Sequence, residues 1–345
     1  MTRASLELPT PYVAPEGKLE TEIAKIFADV LRIDEVGADD DFFDIGGDSI
    51  VAETISMEIL QRTGCEFPMS SLLDYSSPRT IAAALQRSGP RKDAVEAPTV
   101  AETKTRPPIF VLHGRGGYTM PQAPFRQALA EGQKLRMFEL PGIRGGRSYD
   151  RIEDIAEGYI GQLTAEYPQG PILLASFCAG ALIALEMTSQ LARMGRPVKH
   201  VVLIDPPVSR EGTLAFGVGG MHRDLWNRAK GLFHKLLPRP LRLRYYELRW
   251  RKRARSKYSD LNLSPAARAK LYAAYLDYSP SPYDGPVTIL SSSSRFPAMR
   301  DGPHMSKLLP RRTVHLVFAQ HHGVTSAPRA AELMQEAFDA ALAGG

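Results

Sequence analysis

Residues 171–187 read "PILLASFCAGALIALEM". The opening residues are apolar and suit a buried strand, Ser176 to Gly180 are small enough for a tight turn, and the remainder has the apolar spacing of a helix. A residue at the centre of a sharp strand-to-helix turn is pushed into the cleft beyond the strand, and small neighbours relieve the crowded backbone. That residue is Cys178. On composition alone a cysteine here is a packed small hydrophobe. Chemistry needs partners, and a helix amino terminus beneath the sulfur is one, because it favours the thiolate.

Outward from this turn, apolar β-branched runs alternate with helical patterns. "PPIFVLHG" (107–114), "KLRMFELPG" (134–142), "PILLAS" (171–176), "HVVLID" (200–205), "VTILSS" (287–292) and "TVHLVFAQ" (313–320) are strand candidates. Their alternation predicts a mostly parallel sheet covered by helices. Asp205 closes the fourth run, 27 residues after Cys178. A carboxylate at a strand's carboxyl end faces the same edge as the turn, and its acceptor-only oxygens can hold an imidazole in one tautomer. A solvated turn aspartate before Pro206 is the plain alternative. Two histidines, His321 and His322, follow the sixth run.

Composition sets the outer bounds. The chain has 345 residues, 43% hydrophobic and 23% charged, which is ordinary for globular protein and long enough for two or three domains. Its two cysteines, Cys65 and Cys178, support neither a disulfide framework nor a metal cluster, and a reducing cytoplasm is expected. The start of the chain lacks the apolar core of a secretory signal, and the run Pro171 to Leu185 is shorter than the ~20 residues that cross a bilayer. No membrane association is expected.

Residues 89–107, "GPRKDAVEAPTVAETKTRP", mix charge and proline without hydrophobic period and read as a solvated linker. Before it, residues 17–88 carry three helical patterns and a short apolar segment; residues 1–16, with their prolines, read as an extended tail or the remnant of an interdomain linker. After it, 108–345 holds the sheet, with a helical, arginine-rich insert at about 208–283. Charge divides the same way. Lys18 to Arg87 holds six Lys/Arg against fourteen Asp/Glu, a net charge of −8, whereas Met221 to Lys257 holds thirteen against two, a net charge of +11.

"DDDFFDIGGDSIVAETI" (39–55) places Ser49 after two glycines and an aspartate, just before a helix. Taken singly, Asp48 or Ser49 is a helix N-cap. The whole stretch resembles the peptidyl carrier domains of nonribosomal peptide synthetases, with Phe42, Phe43, Gly46, Gly47, Asp48, Ser49 and Ile50 on the family's F-F-x-x-G-G-D-S-[IL] pattern and Asp41 just before it. "FPMSSLLDYSSPRTIAAAL" (67–85) resembles the family's third and fourth helices. The resemblance implies a small all-α four-helix bundle carrying 4′-phosphopantetheine on Ser49, installed by a phosphopantetheinyl transferase and served by upstream synthetase domains. Bare backbone at Gly46 and Gly47 would let the transferase approach. Cys65 reads as a packed small hydrophobe.

The second half resembles the terminal thioesterases of the same synthetases, an α/β-hydrolase domain with a helical lid. Where relatives read "GYSFGGLVAYEM", this chain reads "SFCAGALIALEM". The resemblance implies a Cys178, Asp205, His321 triad, with His322 at the surface or in the pocket, His113 structural, and the backbone N–H groups of Arg115 and Ala179 as oxyanion donors. No metal is implied. The rival reading of "HGRGGYT" as a dinucleotide fingerprint fails at Thr119, where glycine or alanine is needed.

The thiol itself carries information. An acyl group on Cys178 stays a thioester, whose leaving-group pKa of about 8.5 compares with about 15.7 for water as a stand-in for an alkoxide. Cysteine-bearing thioesterases of this type are associated with monobactam-like β-lactams. The expected reaction is transfer of a peptidyl group from the Ser49-linked arm to Cys178 and intramolecular cyclising release, with a β-lactam as the specific product and hydrolysis or macrocyclisation as alternatives. A non-catalytic carrier-docking module is the rival from another class. The basic insert could in isolation suit nucleic acid or membrane, but the acidic carrier is its nearer partner, so intramolecular carrier–thioesterase docking is expected and nucleic acid is not.

Overall fold

A computed structural model describes all residues except 1, 7, 48, 66, 68–70, 73, 89–105, 115–116, 118–120, 122, 141–148, 210–212, 215–237, 254–264, 319–323, 325–326 and 345. The chain divides into two compact units, Met1–Thr103 with Met120–Ala123, and Lys104–Thr119 with Pro124–Gly345.

In the first unit the described helices are α1 (Gly17–Leu31), α2 (Ser49–Thr63) and α3 (Pro78–Ser88); the expected short helix between the last two falls mostly outside the described residues. Helix α1 buries Ile23, Ala24, Ile26 and Phe27, the i, i+3, i+4 stripe of an amphipathic helix. It ends at Arg32, whose φ of 58° reverses the chain. Phe27 meets Phe42 edge to face at 5.7 Å, and Ile55, Ile59, Ile81 and Leu85 complete the core. The amino-terminal segment is not simply extended. Arg3–Leu6 forms a 3-10 turn, and the Arg3 guanidinium reaches the buried Asp40 carboxylate at 2.6 Å. Burial alone would push that carboxyl up; Arg3 and the Gly37 N–H outweigh it and hold the group below its ordinary range.

The second unit is built on six strands: β1 (Ile109–Leu112), β2 (Leu135–Met137), β3 (Ile172–Phe177), β4 (Val198–Ile204), β5 (Val287–Ser292) and β6 (Arg312–Val317). They lie in the order β2-β1-β3-β4-β5-β6, and every neighbouring pair is parallel. Each of the six sequence candidates is present. The short helix α4 (Ala123–Gln127) precedes β2. Alternate side chains feed two apolar layers. Phe110, Leu112, Leu174 and Leu203 face α5 (Ile152–Glu166) and α6 (Gly180–Arg193), while Ile109, Val111, Leu173 and Val202 face Met334 and Phe338 of the carboxyl-terminal helix Pro328–Ala343. Helices on both faces oblige parallel strands to be buried throughout, and β3 is.

The chain runs outward from β1 to β2 and inward to β3, so the strand order reverses beside β1 and β3. Such a reversal leaves an open crevice at the carboxyl ends of the strands. The arginine-rich insert between β4 and β5 contributes α7 (Arg239–Arg253) and α8 (Pro265–Asp277) among the described residues. The two helices are joined by Tyr246 against Tyr272 at 4.8 Å and by Arg242 to Asp277 at 2.7 Å. No described helix is long and apolar enough to cross a membrane.

Candidate acyl-transfer site

The carboxyl ends of two adjacent strands, β3 and β4, carry strained turns. Cys178, directly after β3, has φ 48°, and Asp205, directly after β4, has φ 47°. Left-handed backbone at a non-glycine residue costs about 1–3 kcal/mol and survives only where the surroundings over-determine it. Here neighbouring strands do so. The Cys178 N–H donates to the Ile204 carbonyl at 2.9 Å, and the Asp205 N–H donates to the Leu290 carbonyl at 2.7 Å, so each turn is pinned by the next strand.

The small residues around Cys178 have separate reasons. A Cβ on Gly180 would lie 2.3 Å from the His113 carbonyl oxygen, which fixes glycine where α6 crosses the end of β1. Ser176 is fully buried and its Oγ has no hydrogen-bond partner among the described residues. Ala179 is buried at the N-cap position of α6, where first-turn N–H groups converge. Arg115, the other expected oxyanion donor, lies outside the described residues, as do His321 and His322.

His113 is fully buried. Its Nδ1–H donates to the Gly114 carbonyl at 2.7 Å, so Nε2 accepts from the Tyr159 hydroxyl at 2.6 Å. Burial lowers its pKa to about 4, against which the Gly114 contact pulls only weakly. The ring is therefore neutral near pH 7.

Three contributors were not foreseen from sequence. The Asp205 side chain is almost fully buried, and its Oδ1 accepts the Ser292 N–H at 2.8 Å. Its Oδ2 accepts from Arg295 at 3.0 Å, and the same guanidinium nitrogen donates to the carbonyls of Asp205 (2.7 Å) and Pro206 (3.2 Å). From α8, Tyr275 is buried within electrostatic reach of Cys178; burial first, and then Cys178, push its phenol up, so it stays protonated. Only strand adjacency could have nominated Arg295. "SSSSRFP" ends the run that turns out to neighbour β4, an order the sequence does not display.

In the first unit Ser49 is the first residue of α2. Gly46 has φ 93°, a conformation that favours glycine, and a Cβ on Gly47 would lie 2.4 Å from the Phe42 ring. The two glycines are thus demanded by the fold itself, apart from any approach by a transferase. A phosphodiester on a residue opening α2 would sit at the helix amino end, where N–H groups and the dipole favour an anion, so the residues suit a phosphopantetheine group. Among the described residues no cluster could hold a metal ion.

Comparison with known proteins adds the family context. Residues 107–278 match the Thioesterase domain family, and residues 21–85 match the Phosphopantetheine attachment site family. Indigoidine synthase of Streptomyces lavendulae is 30% identical over 197 residues, covering 57% of this chain and 15% of that protein. Surfactin synthase subunit 3 of Bacillus subtilis (strain 168) is 26% identical over 199 residues, covering 58% and 15%. The chain therefore spans a small part of these relatives. The crystal structure of a holo four-domain nonribosomal peptide synthetase shares the fold, with a TM-score of 0.53 and 22% identity over 97% of this chain and 27% of that one. The first match indicates a thioesterase fold of the α/β-hydrolase kind and the second a covalently attached 4′-phosphopantetheine. Residues 21–85 are thus matched as a phosphopantetheine attachment domain and residues 107–278 as a thioesterase domain that follows it.

Proposed function

We propose that this chain performs the release step of a nonribosomal peptide synthetase. A peptidyl group passes from phosphopantetheine on Ser49 to Cys178 and leaves by intramolecular cyclisation, with closure of a β-lactam as the specific case. The observation that carries the reading is the pair of adjoining left-handed turns, Cys178 and Asp205, at the open edge of the sheet.

The attached arm supplies a terminal thiol that presents the acyl group as a thioester. Cys178 gives its proton to His321, and its sulfur attacks the acyl carbonyl. The N–H groups of Ala179 and Arg115 receive the charge that develops on the carbonyl oxygen. Collapse breaks the bond to the arm's sulfur, which takes the proton back from His321, leaving the acyl group on Cys178. Asp205 holds the histidine in the tautomer this requires. In the second half a nucleophile within the acyl chain loses its proton to His321 and attacks the same carbonyl, and Cys178 leaves as the thiol. Tyr275, buried within electrostatic reach of Cys178, would help exclude water from the intermediate, which a cyclising enzyme needs more than a hydrolase does.

The test is acylation by a synthetic peptidyl-pantetheine thioester, followed by peptide mass mapping and the product's mass. Acyl label on Cys178 with a product lacking one water relative to the free acid supports cyclising release. A product equal to the free acid reduces the reading to hydrolysis, and no acylation at all leaves a docking module.

A further inference from the structure

The ion pair behind the acid of the site is the feature that the proposed chemistry has not used. Arg295 follows β5, immediately before α9 (Phe296–Asp301), with its side chain about three-quarters buried. One nitrogen, Nη1, meets the Asp205 carboxylate and the carbonyls of Asp205 and Pro206 together, which ties the guanidinium to the strained turn as well as to the charge. Ser292 N–H occupies the other carboxylate oxygen. A carboxylate whose task is only to hold an imidazole needs no cation.

We propose that Arg295 is a positioning residue of the acyl-transfer site. It fixes the Asp205 carboxylate in its left-handed turn and offsets the negative charge with which that carboxylate meets the histidine. The inference rests on the Cys178, Asp205, His321 reading given above.

The consequence is a pH effect with a definite sign. The reactive form of a Cys–His pair carries one proton, whichever atom holds it. A nearby fixed cation makes the protons on both groups easier to lose, so it draws both limbs of the pH profile downward. The other titratable groups around the described part of this edge do not supply that charge. Tyr275, on α8, stays protonated, and His113, at the end of β1, is neutral near pH 7. Glu139 follows β2, on the far side of β1 and β3 from Asp205. For a thiol enzyme such a bias is useful, because cysteine needs less help from its base than serine does.

The experiment uses the full chain, without its arm, and a soluble acyl-pantetheine thioester. The rate of acyl-enzyme formation is measured by intact mass from pH 5 to 10 for wild type, Arg295→Gln and Arg295→Lys. Glutamine keeps hydrogen-bond donors and loses the charge; lysine keeps the charge. Expected is an upward displacement of both limbs by about one pH unit in Arg295→Gln, the size of one charge removed at partly screened range, and a return to within about 0.3 unit in Arg295→Lys. A rate lowered equally at every pH, with limbs unmoved, would mean that Arg295 merely braces the loop, and equal displacement in both variants would remove charge as the cause. Peptide mapping separates the underlying reading: acyl groups found away from Cys178 refute the site assignment, whatever Arg295 does.

Discussion

Gly180 and His113 meet at the point where α6 leaves the elbow, with the glycine so close beneath the His113 carbonyl that an added Cβ would lie 2.3 Å from the oxygen. A contact that short must be relieved by movement, and both movable parts belong to the proposed site. One is the helix whose amino end underlies Cys178; the other is the loop after β1. Gly180→Ala should therefore cost about 1–3 kcal/mol of stability, the range for overpacking, and slow acylation beyond what the lost stability explains. Denaturant unfolding together with acyl-enzyme kinetics checks this, and a variant as stable and as fast as wild type would contradict the close approach.

Changing the sulfur separates loading from release. Cys178→Ala should abolish acyl-enzyme formation and leave phosphopantetheine loading on the carrier intact. Cys178→Ser is the sharper probe, because an oxoester is a poorer acyl donor than a thioester. It should still load or hydrolyse while losing cyclised product by a larger factor. Equal cyclisation by the serine and cysteine forms, read by product mass, would refute the argument for the thiol.

Ser49 should accept a single arm. Incubation with a phosphopantetheinyl transferase and coenzyme A is expected to add one phosphopantetheine by intact mass, mapped to Ser49 and absent from Ser49→Ala. An arm on another serine would overturn the assignment.

The parallel sheet was legible because each strand is an apolar run bounded by turn residues, and residues buried on both faces leave that signature without needing neighbours. The elbow was legible for a similar reason: small residues at 176, 179 and 180 are a local pattern. Strand order was not. The pairing of β4 with β5 brings Arg295 to Asp205 across 90 residues of sequence, and nothing local marks that. The glycines of the carrier were read as clearance for a partner, whereas Gly47 is bare because the Phe42 ring occupies its Cβ position. Packing against an aromatic only five residues away left no periodic trace. Arg3 was hidden differently, since a single arginine in a proline-rich start has no pattern until Asp40 is seen beneath it.

Burial of His113 sets a pH dependence of stability. Its folded pKa of about 4 lies below its ordinary value of 6.5. The unfolded chain thus binds the proton more readily, and the stability tied to the neutral ring is complete above about pH 6.5 and lost as pH falls toward 4. The full span corresponds to about 3 kcal/mol. Thermal melts of the thioesterase unit between pH 7.5 and 4.5 should show this decline. Tyr159→Phe should add a loss of about 1–3 kcal/mol, because the His113 Nε2 acceptor would be buried without its donor. A variant as stable as wild type at pH 7 would mean that the bond contributes nothing.

The arginines of the insert are not equivalent, which sharpens the expectation of carrier docking. Arg242 is committed to Asp277 and Arg239 to the Asp150 carbonyl, so both bind the insert to itself or to the sheet domain. Arg244, on the same helix, is exposed. A carrier with a net charge of −8 and a phosphate would be drawn to the exposed set, and attraction between surfaces is screened over about 8–10 Å at physiological salt. Transfer from a separately expressed holo-carrier to Cys178 should therefore slow as salt rises, and Arg244→Glu should slow it several-fold at low salt with little change in acylation by a small soluble thioester. Arg242→Ala should do the reverse, slowing both substrates by loosening α7 from α8. Transfer indifferent to salt and to Arg244→Glu would leave the basic helix as an ordinary solvated face.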